Sequence, residues 1–347
     1  MGRCSGPGTW RRLAARSSLM PQQGWKESMP EHFGNPLLEQ RRLLAGEAFV
    51  ERTDEVVLSI AGEERASWLH ALVSQDIMNL AEAASTEALL LNPQGHIEHQ
   101  LKVINAGDKL LVITNRERSA GLVDWLSKMR FRAKVEVAET ELKVFGVFSE
   151  AAGTVWVDGF SFEPKSSVSY ADTRADFPYR EIIADEPPAL EEAGLMAYQA
   201  LRIAAGRPEI LDVDERSLPH EFDWLASAVH LTKGCYRGQE SVAKVHNLGH
   251  PPRRLAILHL EHGDAHCGKD DEIYYQDKKV GKVISGALHF ELGSIALVLL
   301  NRNTPYLDLS VHSGESVYAA SQQVLVPADA GKAANLPRPS AFKLSGK

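Results

Sequence analysis

The sequence has few cysteines, and their placement excludes several kinds of site. Its 347 residues contain only Cys4, Cys235 and Cys267, which are far apart and odd in number, so they form no disulfide framework. Such sparse usage predicts a reducing compartment. Because no C-x-x-C pair occurs, we do not expect a zinc or iron–sulfur site built from this chain's own cysteines at the usual spacing.

The sequence also lacks an excess of positive charge and any long hydrophobic run. A formal net charge of −8 argues against a protein that grips nucleic acid through its phosphates. No apolar run approaches the roughly 20 residues that a membrane-spanning helix needs. We therefore expect neither direct nucleic-acid binding nor a membrane partner. The hydrophobic content of 44% and charged content of 24% are typical of a soluble globular protein, whose length predicts two or three subdomains.

Several common catalytic motifs are missing. The sequence contains no G-x-x-x-x-G-K-[ST] phosphate-binding loop and no G-x-G-x-x-G dinucleotide fingerprint. It also lacks the G-x-S-x-G nucleophile elbow and the H-E-x-x-H zinc motif. These absences disfavour the standard nucleotide-binding, dinucleotide-dependent, hydrolase and metalloprotease functions.

The two ends differ in composition from the rest of the chain. Residues 1–30 are rich in arginine and poor in acidic residues, which is typical of an organellar transit peptide or of sequence upstream of the true start. No apolar segment of a secretory signal is present, and no clean amphipathic stripe supports a transit helix. We expect a disordered extension and a bacterial cytoplasmic protein, with the mitochondrial matrix as the alternative. Residues 328–347 are expected to be a second disordered tail.

The remaining sequence predicts an α+β fold followed by a small β-barrel. Residues 31–249 alternate strands and helices, for example a strand over 55–60 and a helix over 195–205. They are joined by hairpins rather than strict β-α-β units, which favours α+β over a doubly wound sheet. Residues 250–327 contain short apolar strands separated by Gly and Asp turns, which predicts the barrel.

One octapeptide, Lys233-Gly-Cys-Tyr-Arg-Gly-Gln-Glu240, carries the strongest chemical signal. It predicts a thiol on a tight turn before a helix, where backbone N–H groups and the cations Lys233 and Arg237 would favour the thiolate of Cys235. Glu240 is predicted to cap or orient the turn. The alternative is a glycine-bracketed turn whose small cysteine is simply buried.

Two histidine groups could in principle bind a metal. His259, His262, His266 and Cys267 supply four potential ligands, but the segment runs from a strand into a turn, so a solvated loop is favoured. Residues three apart on a strand lie on opposite faces, which disfavours a chelate formed by His96 and His99.

The octapeptide fits the pattern K-G-C-[FY]-x-G-Q-E and resembles the signature of the YgfZ family of folate-binding proteins. The eukaryotic relatives of that family are the iron–sulfur assembly factors of the IBA57 type, and the wider superfamily is that of the aminomethyltransferase, or T-protein, of glycine cleavage. Further segments resemble this superfamily in the right order, over roughly residues 34 to 326: Val57–Gly62, Trp68–Ile77, Leu201–Pro208, Leu218–Glu221 and Val280–Gly286.

The resemblance implies a T-protein-like cloverleaf around a folate-sized hole. Its first two α+β subdomains would be interleaved in sequence within 31–249, and the barrel at 250–327 would be the third. Tetrahydrofolate is the implied cofactor. The side chains that we assign to it as candidates are His99, Gln100, Arg202, Glu221, Tyr236, Gln239 and Arg253.

Two departures from the transferase pattern argue against glycine-cleavage activity. The transferase carries G-G-I-x-D-D with a functional aspartate, whereas the matching stretch here is Gly95-His-Ile-Glu-His-Gln100. The pterin-binding glutamate of its L-R-[IL]-E-A-G segment is Ala204 in this chain. Losing that carboxylate removes a charge-assisted bidentate contact to the pterin. We therefore do not expect glycine-cleavage activity.

The sequence then supports one leading function and two alternatives. The leading hypothesis is a folate-binding accessory factor in iron–sulfur cluster assembly or repair, which supports enzymes such as tRNA-modifying radical-SAM proteins. Cys235 would be a reactive thiol or a transient ligand of a shared [2Fe–2S] cluster, with an iron–sulfur assembly or carrier protein supplying the other ligands. The alternatives are a folate-dependent one-carbon transferase that uses Glu98 or His99, and a non-catalytic binding module.

Overall fold

The computed structural model describes residues 31–159, 168–171, 175–261, 265 and 267–333. The predicted N-terminal extension, most of the predicted C-terminal tail and two residues of the histidine group, His262 and His266, lie outside these ranges.

The described residues form five α-helices and sixteen strands. The helices are α1 (Pro36–Leu44), α2 (Arg65–Leu72), α3 (Arg116–Met129), α4 (Leu195–Ala204) and α5 (Gln239–Leu248). The first ten strands are β1 (Ala48–Glu51), β2 (Glu55–Ala61), β3 (Ser85–Leu91), β4 (Ile97–Asn105), β5 (Lys109–Asn115), β6 (Glu136–Glu139), β7 (Lys143–Val147), β8 (Val155–Val157), β9 (Arg180–Ala184) and β10 (Glu191–Glu192). The last six strands are β11 (Arg253–Leu260), β12 (Glu272–Tyr275), β13 (Lys278–His289), β14 (Gly293–Asn301), β15 (Leu309–Ser313) and β16 (Ser316–Val324).

Two five-stranded sheets are interleaved along the chain. The first has the order β3-β4-β5-β2-β6, and the second has the order β10-β1-β7-β9-β8. The chain starts in the second sheet with β1, crosses to the first for β2 to β6, and returns with β7. Most pairs are antiparallel, as the hairpin pattern of the sequence predicts. The predicted α+β class is therefore confirmed.

Helices α2 and α3 pack on one face of the first sheet. Their apolar residues join those of the strands in one core, which contains Trp68, Leu69 and Leu122. The alternation of a strand places every second residue of β4 on this face, for example Leu101 and Val103. The same alternation places two of the predicted site residues on opposite faces of the sheet.

The last six strands close into a barrel of order β11-β14-β13-β12-β15-β16. In β11, Ala256 and Leu258 belong to the barrel's own core. The intervening Leu255 and Ile257 belong to the central core shared with the rest of the chain. The predicted barrel is thus present, although its sequence signal did not reveal β15 or the full length of β13. The boundaries at 249 and 327 remain predictions.

A buried charge network joins the two sheets. The Arg52 guanidinium, after β1, contacts Glu181 of β9 at 3.0 Å and Glu209 at 2.9 Å. The Lys102 ammonium, on β4, lies 2.6 Å from Glu55 of β2 and also contacts Glu181. Three cations (Arg52, Lys102, Arg202) face five carboxylates (Asp54, Glu55, Glu181, Glu209, Asp212). Burial, opposed by Arg52, raises the pKa of Glu55 to about 8.

No helix of the described residues is both long enough and apolar enough to cross a bilayer.

Candidate functional site around Cys235

The octapeptide forms a turn directly before α5, and Cys235 is exposed on it. The turn requires Gly238, whose φ is +83° and whose Cβ, if present, would lie 2.5 Å from the Asn92 carbonyl oxygen. The Tyr236 N–H donates to Oε1 of Gln239 at 3.3 Å, so Gln239 closes the turn. Glu240, predicted to do so, is exposed in the first turn of α5. The turn therefore presents the thiol to solvent.

Lys233 is buried, and its ammonium lies at the C-terminal end of α2. It donates to the carbonyl oxygens of His70, Val73 at 2.5 Å and Gln75 at 3.2 Å. The last carbonyl groups of a helix have no partner within the helix, so a cation is favourable at this position. Burial lowers the pKa of Lys233 to about 8. The Lys233 ammonium therefore binds the C-terminal end of α2. These hydrogen bonds hold α2 against the octapeptide.

Arg237 connects the octapeptide to a neighbouring cavity. Its guanidinium pairs with the Glu98 carboxylate of β4 at 2.8 Å. It also lies over the ring of Trp125 of α3, 5.6 Å from the centroid, at cation–π distance. Glu98 and Trp125 both line the cavity. The Cys235 turn is thus attached to the cavity wall through one side chain.

The cavity has a volume of about 850 Å³, within the ~300–1,000 Å³ range of small-molecule sites. His99 of β4, Arg118 of α3 and Arg216 line it. The other lining residues are Asn92, Ile97, Gly121, Val213, Asp214 and Glu215. The cavity therefore combines an aromatic wall with two guanidinium groups.

His99 is the most unusual polar group of the cavity. Its Nδ1 is buried and has no hydrogen-bond partner among the described residues. Burial first, and then the charge of Arg118, lower the pKa of His99 to about 4. The ring is therefore neutral at pH 7, and an unpaired buried polar atom of this kind costs free energy unless a ligand or water satisfies it.

The structure separates Gln100 from His99. Consecutive residues of a strand point to opposite faces of the sheet. The Gln100 amide lies on the face away from α3, where it donates to Glu87 at 2.5 Å and accepts from the Ile210 N–H at 2.9 Å. A ligand in the cavity would thus reach His99 and not Gln100.

Arg202, Glu221 and Arg253 are engaged in internal ion pairs. The buried Arg202 of α4 bonds Asp212 at 2.8 Å and the barrel residue Ser285 at 3.0 Å. Glu221 is completely buried and pairs with Arg253 at 2.8 Å. Arg253 also pairs with Asp214 at 2.6 Å, and these partners raise its pKa against the effect of burial. These pairs fasten the barrel to the α+β region.

Tyr236 packs in the central core, and burial raises the pKa of its hydroxyl to about 12.

Cys267 lines a separate, mostly apolar cavity of about 470 Å³ between α1, α4 and the barrel. Burial raises the pKa of the Cys267 thiol to about 11. Of the two cysteines within the described ranges, Cys235 is the more exposed.

The described part of the chain has no group of three or more His, Cys, Asp or Glu side chains placed to hold a metal ion. In the histidine group, His259 lies beside Gln323 of the neighbouring strand β16 at 3.2 Å. A cluster bound at Cys235 would therefore need ligands from elsewhere, as a lone cysteine implies.

Sequence reasoning did not identify Arg118 and Trp125, although a weak signal was available. Arg118, Gly121 and Trp125 have the i, i+3, i+7 spacing of one helix face. That face carries polar and aromatic residues beside a strand with the sequence Glu98-His99, which is unusual for a purely structural surface.

Comparison with known proteins gives the fold first. No family model matches the chain. The crystal structure of the glycine cleavage system aminomethyltransferase T from Bartonella henselae superposes with a TM-score of 0.67 at 15% identity, over 84% of this chain and 89% of that one. The chain therefore has the fold of the aminomethyltransferases.

Sequence comparison finds relatives of more specific types than the fold alone indicates. An iron–sulfur cluster assembly factor IBA57 homolog, mitochondrial, from Coccidioides immitis is 26% identical over 72% of this chain and 62% of its own length. The tRNA-modifying protein YgfZ of Colwellia psychrerythraea is 25% identical over 61% of this chain and 71% of its own. The resemblance indicated by Lys233–Glu240 is thus confirmed: the chain is similar to proteins of the YgfZ and IBA57 type. It spans under two thirds of the IBA57 homolog's length.

Proposed function

We propose that this chain is a folate-binding accessory factor in iron–sulfur cluster assembly or repair, and that Cys235 is its working thiol. The observation that carries the proposal is the exposed Cys235 turn, fastened through Arg237 to the wall of the ligand-sized cavity. Two relatives named as an iron–sulfur assembly factor and a tRNA-modifying protein support it.

The cavity residues fit a folate. The flat pteridine would stack on Trp125, and the unpaired Nδ1 of His99 would hydrogen-bond its polar edge. The guanidinium groups of Arg118 and Arg216 suit the carboxylates of the glutamate tail, since guanidinium groups bind carboxylates in bidentate fashion. Bound tetrahydrofolate would supply a carrier of one-carbon units. The neutral His99 where the transferase has an acid favours binding over aminomethyl transfer.

The thiol half of the proposal needs a partner protein. A [2Fe–2S] cluster takes four ligands, and Cys235 supplies one. An iron–sulfur assembly or carrier protein would supply others, and the thiol's exposure makes it accessible to such a partner. The clients would include tRNA-modifying radical-SAM enzymes, so the effect on tRNA would be indirect. We place the chain in the cytoplasm of a bacterium, with the mitochondrial matrix as the alternative.

A complementation experiment tests the thiol. Cys235→Ser and Cys267→Ser would be expressed at equal levels in a strain deleted for the corresponding protein. We expect Cys267→Ser to restore aconitase activity and tRNA methylthiolation, and Cys235→Ser to restore neither. Full restoration of both by Cys235→Ser would refute a working thiol.

A titration tests whether the chain binds folate in this cavity. Calorimetry with tetrahydrofolate under anaerobic conditions should show saturable binding, weakened at least about fivefold in His99→Leu, because a lost hydrogen bond in a buried site costs about 1–3 kcal/mol. His259→Leu, on the outer side of the barrel, is the matched control and should bind as the parent does. Absence of saturable binding at high micromolar ligand would remove folate from the proposal, and unchanged binding in His99→Leu would move it out of this cavity.

A further inference from the structure

One buried arginine of the barrel contacts no carboxylate of the described residues. The Arg254 side chain is completely buried. Those residues include three other buried arginines: Arg52, Arg202 and Arg207. Each of these three contacts at least two carboxylates. The hydrogen bonds of Arg254 instead run from Nη2 to the Thr304 carbonyl oxygen at 3.0 Å and to Oε1 of Gln322 at 2.9 Å.

Two of the three guanidinium nitrogens have no hydrogen-bond partner in the described part of the chain. These are Nε and Nη1 of Arg254, and both are buried. The buried hydroxyl of Thr304, whose carbonyl oxygen accepts from Nη2, has no partner there either. Burial lowers the pKa of Arg254, but from an ordinary value above about 12, so the group stays charged at pH 7. Because an uncompensated buried charge is costly, these donors indicate a site for an anion.

Strand alternation places Arg254 at the end of the barrel interior. Its cross-strand neighbour is Leu300 of β14, and the next residue on the same face of β11 is Ala256. Both belong to the barrel's own core. Arg253 points to the opposite face, where it pairs with Asp214 on the wall of the cavity proposed for folate. The Arg254 site is therefore separate from that cavity.

The loop between β14 and β15 covers the guanidinium. The Tyr306 ring lies over it, with its centroid 4.8 Å from Cζ of Arg254, at cation–π distance. Tyr306 is itself 54% exposed, and its hydroxyl accepts from the Ala328 N–H at 2.8 Å. Gln322, which accepts from Arg254, also donates to the Pro305 carbonyl oxygen at 2.7 Å. A half-exposed ring thus covers one face of a buried cation.

We propose that this end of the barrel binds a small oxyanion, a phosphate or a carboxylate, at Arg254 when the Tyr306 ring moves aside. Guanidinium N–H groups form strong, charge-assisted hydrogen bonds with both kinds of anion. The anion would accept from the unpartnered N–H groups of Arg254, with the Thr304 hydroxyl as a further donor. It would supply the negative charge that the other buried arginines receive from carboxylates. The site needs neither folate nor Cys235.

Calorimetric titration of the full-length chain with inorganic phosphate and with acetate tests the site. Both titrations are made at pH 7 and at one ionic strength, set with chloride. The parent should bind at least one of the two ions saturably, with a dissociation constant of about 10 mM or lower. Binding of phosphate alone identifies a phosphate site, and binding of acetate alone identifies a carboxylate site.

Two methionine variants assign the binding to one guanidinium. Arg254→Met keeps a flexible apolar side chain in the buried position and should weaken binding at least about tenfold, the effect of losing a hydrogen bond to a charged group. Arg302→Met is the matched control, because Arg302 is a partly exposed arginine of the same loop. It should bind as the parent does.

Tyr306→Ala distinguishes a covered site from a purely structural contact. Removing the cover should strengthen binding about twofold or more, the fold-change that corresponds to a weak cation–π contact. Because Tyr306 lies on an exposed loop, this variant also serves as the test if Arg254→Met does not fold. Absence of saturable binding of both ions, in the parent and in Tyr306→Ala, would overturn the proposal. Equal binding by folded Arg254→Met and the parent would overturn it as well.

Discussion

Replacing Lys233 by methionine should destabilise the fold. Methionine keeps a flexible apolar chain in the buried position but removes the ammonium, which donates to the carbonyl groups of His70, Val73 and Gln75. A hydrogen bond to a charged group contributes about 1.5–3 kcal/mol, and a cation at a helix C-terminus about 0.3–1 kcal/mol. Because one ammonium serves all three carbonyls, these contributions overlap. We expect Lys233→Met to lower the free energy of unfolding by about 3 kcal/mol.

The loss is measured by urea unfolding at pH 7, with fluorescence and circular dichroism as probes. Lys244→Met is the matched control, because Lys244 is exposed on α5 and its replacement should change stability by less than about 0.5 kcal/mol. The midpoint should fall while the slope with urea stays unchanged, since the extent of unfolding is the same. A loss under about 1 kcal/mol would refute the reasoning. If thiol reactivity alone fell, Lys233 would instead act on Cys235, as the sequence suggested.

Further outcomes are expected from the same kind of unfolding measurement. Arg52→Met should cost about 3–5 kcal/mol because it leaves buried carboxylates without their cation. Glu55→Gln should change stability at pH 7 by less than about 1 kcal/mol, because the raised pKa of about 8 keeps Glu55 mostly protonated. The contribution of Glu55 itself should fall as pH rises from about 4.5 through 8, since its folded form holds a proton there that the unfolded chain releases, so the stability of the parent relative to Glu55→Gln should decline over this range. Gly238→Ala should cost about 2 kcal/mol or more from its left-handed φ and the Asn92 carbonyl, whereas Gly121→Ala, in open space on α3, should gain about 0.5–1 kcal/mol.

The sequence by itself determined the class of fold and the place of the thiol. Periodicity identified α2 through Trp68 and Leu69, and short apolar strands between turns identified the barrel. The paired glycines around Cys235 predicted a turn before a helix, because a position such as Gly238, with φ +83°, tolerates little else. These features are local, or they repeat with a fixed period, so they can be recognised without knowing which segments meet.

Only the tertiary structure decided what the charged groups do. Lys233, two residues before Cys235, bonds carbonyl groups about 160 residues away, with sequence separations of 163 for His70 and 158 for Gln75. The two adjacent candidates His99 and Gln100 fall on opposite faces of β4, and Gln100 is taken up by internal hydrogen bonds. A cation's partner depends on which distant backbone or carboxylate is brought within reach of it, and local composition does not encode that choice.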